Sequence, residues 1–455
     1  MRGLVGALAL GLTVRVVLLG YTADLGPKII DEEQFVQLAG NVLHGNGLAW
    51  EPGQPTSIRP PLYPAFLAGI WAVSGEGNFQ AVRVVQCVIA LLTAGLVYLL
   101  GRRTFGPAAG NVAAAVTWLY PSLVFMNLTL LTETLFTFLL VGFVLLSVLL
   151  IERPSVQAAA ACGAVLGLGA LTRSVLWPLP LLFCPLLVVL LGGSLRRRLL
   201  VAGVVLLGYG VVVAPWAVRN TRLQGVVTIV DTMGGMNLRM GNYEHTPENR
   251  MWDAVSLTGE KSWVHALTQE TGGNGDSITE GQKEKWAQRK AIEYMVANPG
   301  TTLRRAVIKL GDLWGLERSL LAGVQQGLYS PPTWFVMLAA GLITLSTVAV
   351  LVAGLAGLWL VRPAWRMHVL LLVPILTITA VHTIVFGHSR YHLPLVPIVA
   401  LYAAGLGERW TSVEWRAKRL AVIGAAVTVV MLLASWVRQV ALIDQGRIRD
   451  FLGLS

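Results

Sequence analysis

Three consecutive acids, Asp31-Glu32-Glu33, follow the first apolar run of the chain, and Phe35, Leu38, Ala39 and Leu43 recur after them at helical spacing. Acids in a first turn suit the positive end of a helix dipole, so the spacing alone fits an ordinary interfacial helix. A carboxylate there can also act as a general base, taking a proton from a hydroxyl while that hydroxyl attacks an electrophilic carbon. A second acid, Glu133, stands in Leu130-Leu131-Thr132-Glu133-Thr134-Leu135-Phe136 with apolar neighbours on both sides. A lone carboxylate is costly in lipid, so Glu133 is expected to face protein or water, either as an arginine's partner or as a second acid of the site.

The basic candidates lie at the same kind of boundary. Arg59 precedes two prolines in Ile58-Arg59-Pro60-Pro61-Leu62-Tyr63-Pro64, which fix the backbone and aim it at the membrane plane. Arg83 opens the second apolar run, Arg219 follows Pro215-Trp216, and Arg390 sits in His388-Ser389-Arg390-Tyr391-His392-Leu393-Pro394. Each one alone reads as an interface anchor that snorkels from a helix end. Together they could grip a phosphate diester through charge-assisted hydrogen bonds. Where phosphate is the leaving group, its developing charge is where stabilisation accelerates the reaction most. Asp231 to Asn242 is rich in glycine but follows no strand and lacks phosphate-loop spacing, so it is not read as a nucleotide site. The seven histidines show no zinc-ligand spacing, and Cys87, Cys162 and Cys184 lie inside apolar stretches; neither a metal site nor a disulfide framework is expected.

The elements that must position these residues are membrane helices. Hydrophobic residues make up 55% of the chain and charged ones 13%, with a mean hydropathy of +0.65, which lies outside the soluble range. A net charge of +11 raises the question of nucleic acid, but the basic residues sit in short clusters between apolar runs, so no nucleic-acid partner is expected. Apolar runs near 3–21, 81–100, 107–126, 130–150, 157–172, 175–193, 199–217, 332–361, 367–386, 393–407 and 418–436 predict about eleven transmembrane helices. With the N-terminus inside, Arg102-Arg103, Arg153, Arg196 to Arg198, Arg362 to Arg366 and Arg409 to Arg419 all fall on the cytoplasmic side, as the positive-inside rule requires. Two long regions are left outside. The first, 22–80, contains Leu62 to Val73, too short to span and expected to lie at the interface. The second, about 218–331, carries an amphipathic pattern from Lys283 to Trp314 that Asn298-Pro299-Gly300 should divide into two helices.

In order and membrane placement these residues resemble the GT-C membrane glycosyltransferases, which include protein O-mannosyltransferases and the aminoarabinose transferase acting on lipid A. The resemblance rests on Asp31-Glu32, Arg59-Pro60-Pro61-Leu62, Arg83, the segment around Glu133, Leu171-Thr172-Arg173, Gly234-Gly235-Met236-Asn237-Leu238 to Gly241-Asn242, Asn298-Pro299-Gly300 and Arg390-Tyr391-x-Leu-Pro. It implies an all-α polytopic GT-C fold with interfacial helices in the first and fourth external loops. The implied organisation is a GT-C module over 1–220 with a catalytic loop at 22–80, an external loop over 221–331 and C-terminal helices over 332–455.

The resemblance also implies an inverting transfer from a polyprenyl-phosphate sugar donor to a hydroxyl on a lipid, glycan or protein, on the extracytoplasmic side of the inner (plasma) membrane. Asp31 would be the base, with Glu32 and Glu133 as supporting acids. Arg59 and Arg83 would grip the phosphate, with Arg390 and Arg219 assisting, and Tyr63, His388 and Tyr391 would line the substrate pocket. No cofactor or divalent metal is expected. Arg59 departs from relatives that carry lysine there, a change a phosphate grip tolerates. Two alternatives stand beside this reading. A transporter or flippase of lipid-linked intermediates should carry its charges at mid-membrane depth; a non-catalytic assembly subunit would have no need of Asp31.

Overall fold

Inside a bilayer a chain must satisfy its own backbone hydrogen bonds, so long apolar runs become helices. The computed structural model describes residues 2–270, 278–413, 415 and 417–446, and among them no strand forms beyond a single bridge between Ala49 and Pro55. The N-terminal half contains α1 (Arg2–Tyr21), α2 (Ile30–Leu43), α3 (Leu62–Ser74), α4 (Phe79–Thr104), α5 (Pro107–Leu119), α6 (Pro121–Leu128), α7 (Glu133–Glu152), α8 (Val156–Thr172), α9 (Leu179–Leu190) and α10 (Leu195–Gln224). Five shorter helices follow: α11 (Gly234–Gly241), α12 (Trp263–Glu270), α13 (Glu280–Ala297), α14 (Pro299–Leu313) and α15 (Ser319–Gln325). The described part closes with α16 (Thr333–Leu360), α17 (Trp365–Ile384), α18 (Val396–Arg409) and α19 (Arg419–Arg438).

Seven helices, α1, α4, α7, α10, α16, α17 and α19 with its extension to Ile443, are long and apolar enough to cross a membrane. The pair α5 and α6 would make an eighth crossing, bent by 49°. Pro121 lacks the N–H that would continue α5, and Tyr120 before it is extended, which accounts for the bend. Every one of the eleven apolar runs meets a helix, but α8, α9 and α18 have only 17, 12 and 14 residues. The runs containing α9 and α18 begin in short 3-10 turns, Ser174–Leu176 and Ser389–Leu395, the second containing Pro394. That irregular backbone directly follows Arg173 and carries Arg390.

α7 lies at the centre: 72% of its most apolar window is buried, against 11% for α1, whose Leu10, Leu12, Val16 and Val17 face outward. α8 packs along α10 at very short range, because a Cβ on Gly163 would come within 2.0 Å of the Val205 carbonyl oxygen. α1 is anchored by a buried cation. Arg15 bonds through Nε and Nη2 to Asn127 Oδ1 at 3.1 and 2.9 Å, with its guanidinium 3.6 Å over the Trp118 ring, and so ties α1 to α5 and α6. In the external regions, the break at Asn298-Pro299 divides α13 from α14 as the sequence indicates, with Pro299 in the first turn where its missing N–H costs nothing.

Candidate functional site

α2 begins where the chain leaves α1, and successive residues on a helix point about 100° apart. The three acids therefore separate. Glu33 is exposed, whereas Glu32 is buried and turned back on the backbone: Oε2 accepts from the Lys28 and Ile29 N–H groups at 2.7 and 3.3 Å, and Oε1 from Leu130 N–H at 2.8 Å. Glu32 thus fastens the start of α2 to the turn before α7. Asp31 points the other way. Its Oδ1 accepts from Arg59 Nη2 at 2.6 Å and its Oδ2 from Arg390 Nη1 at 3.3 Å.

From Asp31 an alternating chain of charges runs through the site. Arg59, placed by the two prolines after it, shares Gln34 Oε1 through Nε and Nη2, and its guanidinium lies 5.3 Å from the Phe35 ring centroid. Arg390 donates its Nε to Glu133, which is fully buried at the first residue of α7. Glu133 also accepts from Arg173 Nη1 at 3.2 Å. The Arg173 guanidinium in turn faces the Tyr391 ring at 5.0 Å. Three guanidinium groups meet two carboxylates in this chain, so an incoming anion finds charged donors to compete for.

Electrostatics follow from this arrangement. Burial pushes the Asp31 carboxyl up, but Arg390 and then Arg59 outweigh it and hold the pKa below its ordinary value. Arg390 loses some stability of its charge to burial, but Glu133 and Asp31 more than restore it and raise its pKa. A third carboxyl, Asp231, is set close by: Thr232 N–H donates to Ser57 O at 3.0 Å, which lays its loop against the turn carrying Arg59. Asp231 accepts from Met233 N–H at 3.1 Å, and burial pushes its pKa up to about 6 despite Ser174 and Arg59 nearby.

The structure brings together Asp31, Arg59, Glu133 and Arg390, and sets Tyr391 beside them. His388 stands behind the cluster, its Nδ1 accepting from Arg390 N–H at 3.1 Å, and so shapes the loop rather than meeting the acids. Four expected site residues are occupied elsewhere. Besides Glu32, Arg83 spends its guanidinium on the carbonyls of Leu128, Thr22 and Leu25, the first two at 2.9 and 2.7 Å. Arg219 bonds to the carbonyls of Thr56 and Leu48 at 2.6 and 3.0 Å, and stacks on Trp216. Tyr63 is fully buried between Phe35 and Phe66, its hydroxyl on Gln86 at 3.1 Å. For Glu32, Arg83 and Arg219 the physical reason is shared: irregular backbone at the interface leaves orphan N–H and C=O groups, and nearby polar side chains satisfy them. Tyr63 is instead taken up by a buried side-chain bond to Gln86.

Sequence reasoning passed over Gln34 and Asp231, and did not place Arg173 in the site. Arg173 had a signal, since it follows an apolar run at the same interface as Arg390; Asp231 had none, its burial being wholly tertiary. The loop of Arg390 is itself held from outside the spans. His392 Nδ1 bonds to Leu313 O at 2.7 Å, and Lys309 Nζ to Ile384 O at 2.8 Å, so α14 sets where Arg390 stands. Among the described residues no group of His, Cys, Asp and Glu gathers in a metal-holding arrangement.

Residues 58–218 match the family model of dolichyl-phosphate-mannose-protein mannosyltransferases. A comparison with curated proteins returned no match. Among solved structures, the oligosaccharyltransferase of Archaeoglobus fulgidus in its apo form is similar with a TM-score of 0.52 and 15% identity, over 99% of this chain and 59% of that one. The chain therefore spans about 59% of the length of that enzyme. A weaker likeness, TM-score 0.40 and 16% identity over 90% of this chain and 79% of the other, links it to ArnT from Cupriavidus metallidurans bound to undecaprenyl phosphate. With the mannosyltransferase pattern over 58–218 and the oligosaccharyltransferase architecture along nearly its whole length, the protein is built on the GT-C fold of membrane glycosyltransferases.

Proposed function

We propose that the chain is an inverting glycosyltransferase that moves a sugar from a polyprenyl-phosphate donor to a hydroxyl acceptor. The observation that carries this reading is Asp31 held between Arg59 and Arg390, with Arg390 bridging on to Glu133. A phosphate diester entering the site competes with Asp31 for the two guanidinium groups. As they turn to the phosphate, Asp31 loses the partners that depress its pKa and becomes a stronger base. The acceptor hydroxyl gives its proton to Asp31, its oxygen forms the new bond to the anomeric carbon, and the bond from that carbon to the phosphate oxygen breaks. The electron pair leaves with the polyprenyl phosphate, whose added charge the arginines stabilise. Glu133 keeps Arg390 and Arg173 in place, and Glu32, Arg83 and Arg219 hold the loops that carry the site. Positive charge at the leaving group comes from arginine, so the proposal requires no divalent metal.

The helix directions support a site on the extracytoplasmic side of a plasma membrane. α4 and α7 begin near the site and end at Arg102-Arg103 and Arg153, while α10 begins at Arg196 to Arg198 and ends near it, so the basic clusters occupy the opposite end of the bundle. A flippase would need its charges at mid-depth, whereas the acids and arginines here stand at helix ends. An assembly subunit would not need Asp31.

Asp31→Asn in the purified full chain should reduce transfer from a polyprenyl-phosphate sugar by about 10²–10⁴-fold while retaining donor binding. Turnover at the wild-type rate would remove Asp31 as base. Mass spectrometry of co-purifying lipid tests the donor class: an isoprenoid phosphate supports it, and its absence from active preparations speaks against it.

A further inference from the structure

Three buried arginines, Arg15, Arg239 and Arg305, take no part in the site described. Arg239, on α11, is 6% exposed, and its guanidinium lies over two rings, 4.5 Å from the Trp286 centroid and 4.6 Å from that of Tyr243. The stack continues on both sides, with Trp263 parallel to Trp286 at 6.4 Å and His245 edge-on to Tyr243 at 5.5 Å. Ring contacts engage the face of the cation rather than its five N–H donors, which all lie in its plane. None of these donors meets a hydrogen-bond or ion-pair partner among the described residues, and Nε is buried without one. The other buried arginines behave differently: Arg15, Arg83 and Arg305 all spend donors on carbonyl oxygens. The acids near Arg239 are engaged elsewhere, Glu270 with Lys290 and Trp286 Nε1 at 2.8 and 2.9 Å, and Glu293 with Arg289 and Lys290.

A rigid cation with an unused planar fork matches two oxygens side by side. Its helix starts from the loop that carries Asp231. α11 starts three residues after Asp231, and Arg239 lies five residues further on, roughly 8 Å along the helix. α11 is also locked onto α13, because Gly235 donates to Glu284 at 3.0 Å and a Cβ there would come within 2.2 Å of the Glu284 carbonyl oxygen.

We propose that Arg239 is an oxyanion subsite for the acceptor, binding a phosphate-type group of that substrate in the plane of its guanidinium; this rests on the reading of the chain as a transferase. The rings fix the fork before the ligand arrives, so little rotamer freedom is lost on binding. The acceptor hydroxyl is then carried toward Asp31 by an anchor one short helix away.

The test uses inorganic phosphate as probe, followed by phosphorus line broadening on the detergent-purified full chain. Arg239→Gln should weaken one class of phosphate binding by about tenfold or more, since hydrogen bonds to charged groups are the strong ones. Arg239→Lys keeps a cation over the rings but loses the planar fork, and should weaken the same class several-fold while its unfolding temperature stays near wild type. Should Arg239→Gln fail to fold, Arg239→Lys decides. Arg59→Gln should leave this class intact. Unchanged phosphate binding in both Arg239 variants, or its complete loss in Arg59→Gln, overturns the subsite without touching the transferase reading. No transfer from a polyprenyl-phosphate sugar by the folded wild-type chain, with the Arg239 dependence of phosphate binding intact, removes the transferase reading and the acceptor role while leaving an anion site.

Discussion

In the proposed transfer, Asp31 acts as a base only while ionised and only after its guanidinium partners have turned to another anion. Burial alone would raise its pKa, but Arg390 and Arg59 together hold it below the ordinary carboxylate value. On the proposed mechanism activity should therefore persist as pH falls: kcat/KM is expected to stay level through the mildly acidic range, with its acid limb below the ordinary carboxylate value. Arg59→Gln removes one pair and leaves the burial, so the limb should move upward in that variant. Steady-state kinetics across this range check both statements. A limb near pH 6, where burial sets Asp231, that disappears in Asp231→Asn would hand the role of base to that residue. The pairs also link pH to stability with a definite sign, because a depressed folded pKa gives stabilisation that is full above the unfolded value and lost as pH falls through the folded one. At this scale, Asp31, Arg59, Glu133 and Arg390 were legible from residue type and boundary position. Glu32 and Arg83 share both properties with them, and only their bonds to Leu130 N–H and to three carbonyls set them apart.

The site is assembled by element ends. α2 presents Asp31, α7 opens on Glu133, the turn after α8 carries Arg173, and the 3-10 turn before α18 carries Arg390. Arg83 on α4 clamps two of these joints with three bonds, to the chain between α1 and α2 and to the end of α6. Arg83→Met would leave buried carbonyls without donors and should cost about 2–4 kcal/mol of stability. A thermal shift in detergent should show that loss, while the folded fraction keeps its donor affinity; lost affinity at unchanged stability would return Arg83 to the phosphate grip. Arg59→Ala should behave in the opposite way, since among the described residues Arg59 bonds only to Asp31 and Gln34. Most helices were readable because a long apolar run admits one backbone solution in lipid. The shortness of α9 and α18 was not, because composition does not register where a 3-10 turn replaces the first turns of a helix.

Across the whole molecule, basic connections and the charged site lie at opposite ends of the bundle, and that polarity is open to test. In a chain freed of Cys87, Cys162 and Cys184, cysteine at the exposed Glu260 should react with an impermeant maleimide in intact cells. Cysteine at the exposed Arg197 should react only after permeabilisation. The reverse pattern would place the site in the cytoplasm. The external region expected over about 218–331 includes residues 271–277, which lie outside the described residues.

Hydropathy and charge, both local properties of the chain, determined by themselves that this protein is a bundle of apolar helices with one polar loop-bearing end, and they marked the acids and arginines at that end. Tertiary structure decided which of those charges meet one another. Asp31 and Arg390 are 359 residues apart along the chain, and their pairing depends on α14 fixing the turn between α17 and α18. The same folding step consumed Arg83 and Arg219 on backbone carbonyls and left the donors of Arg239 unspent. A charged group at an interface satisfies whichever partner the packing brings first, and packing is a property of the assembled chain.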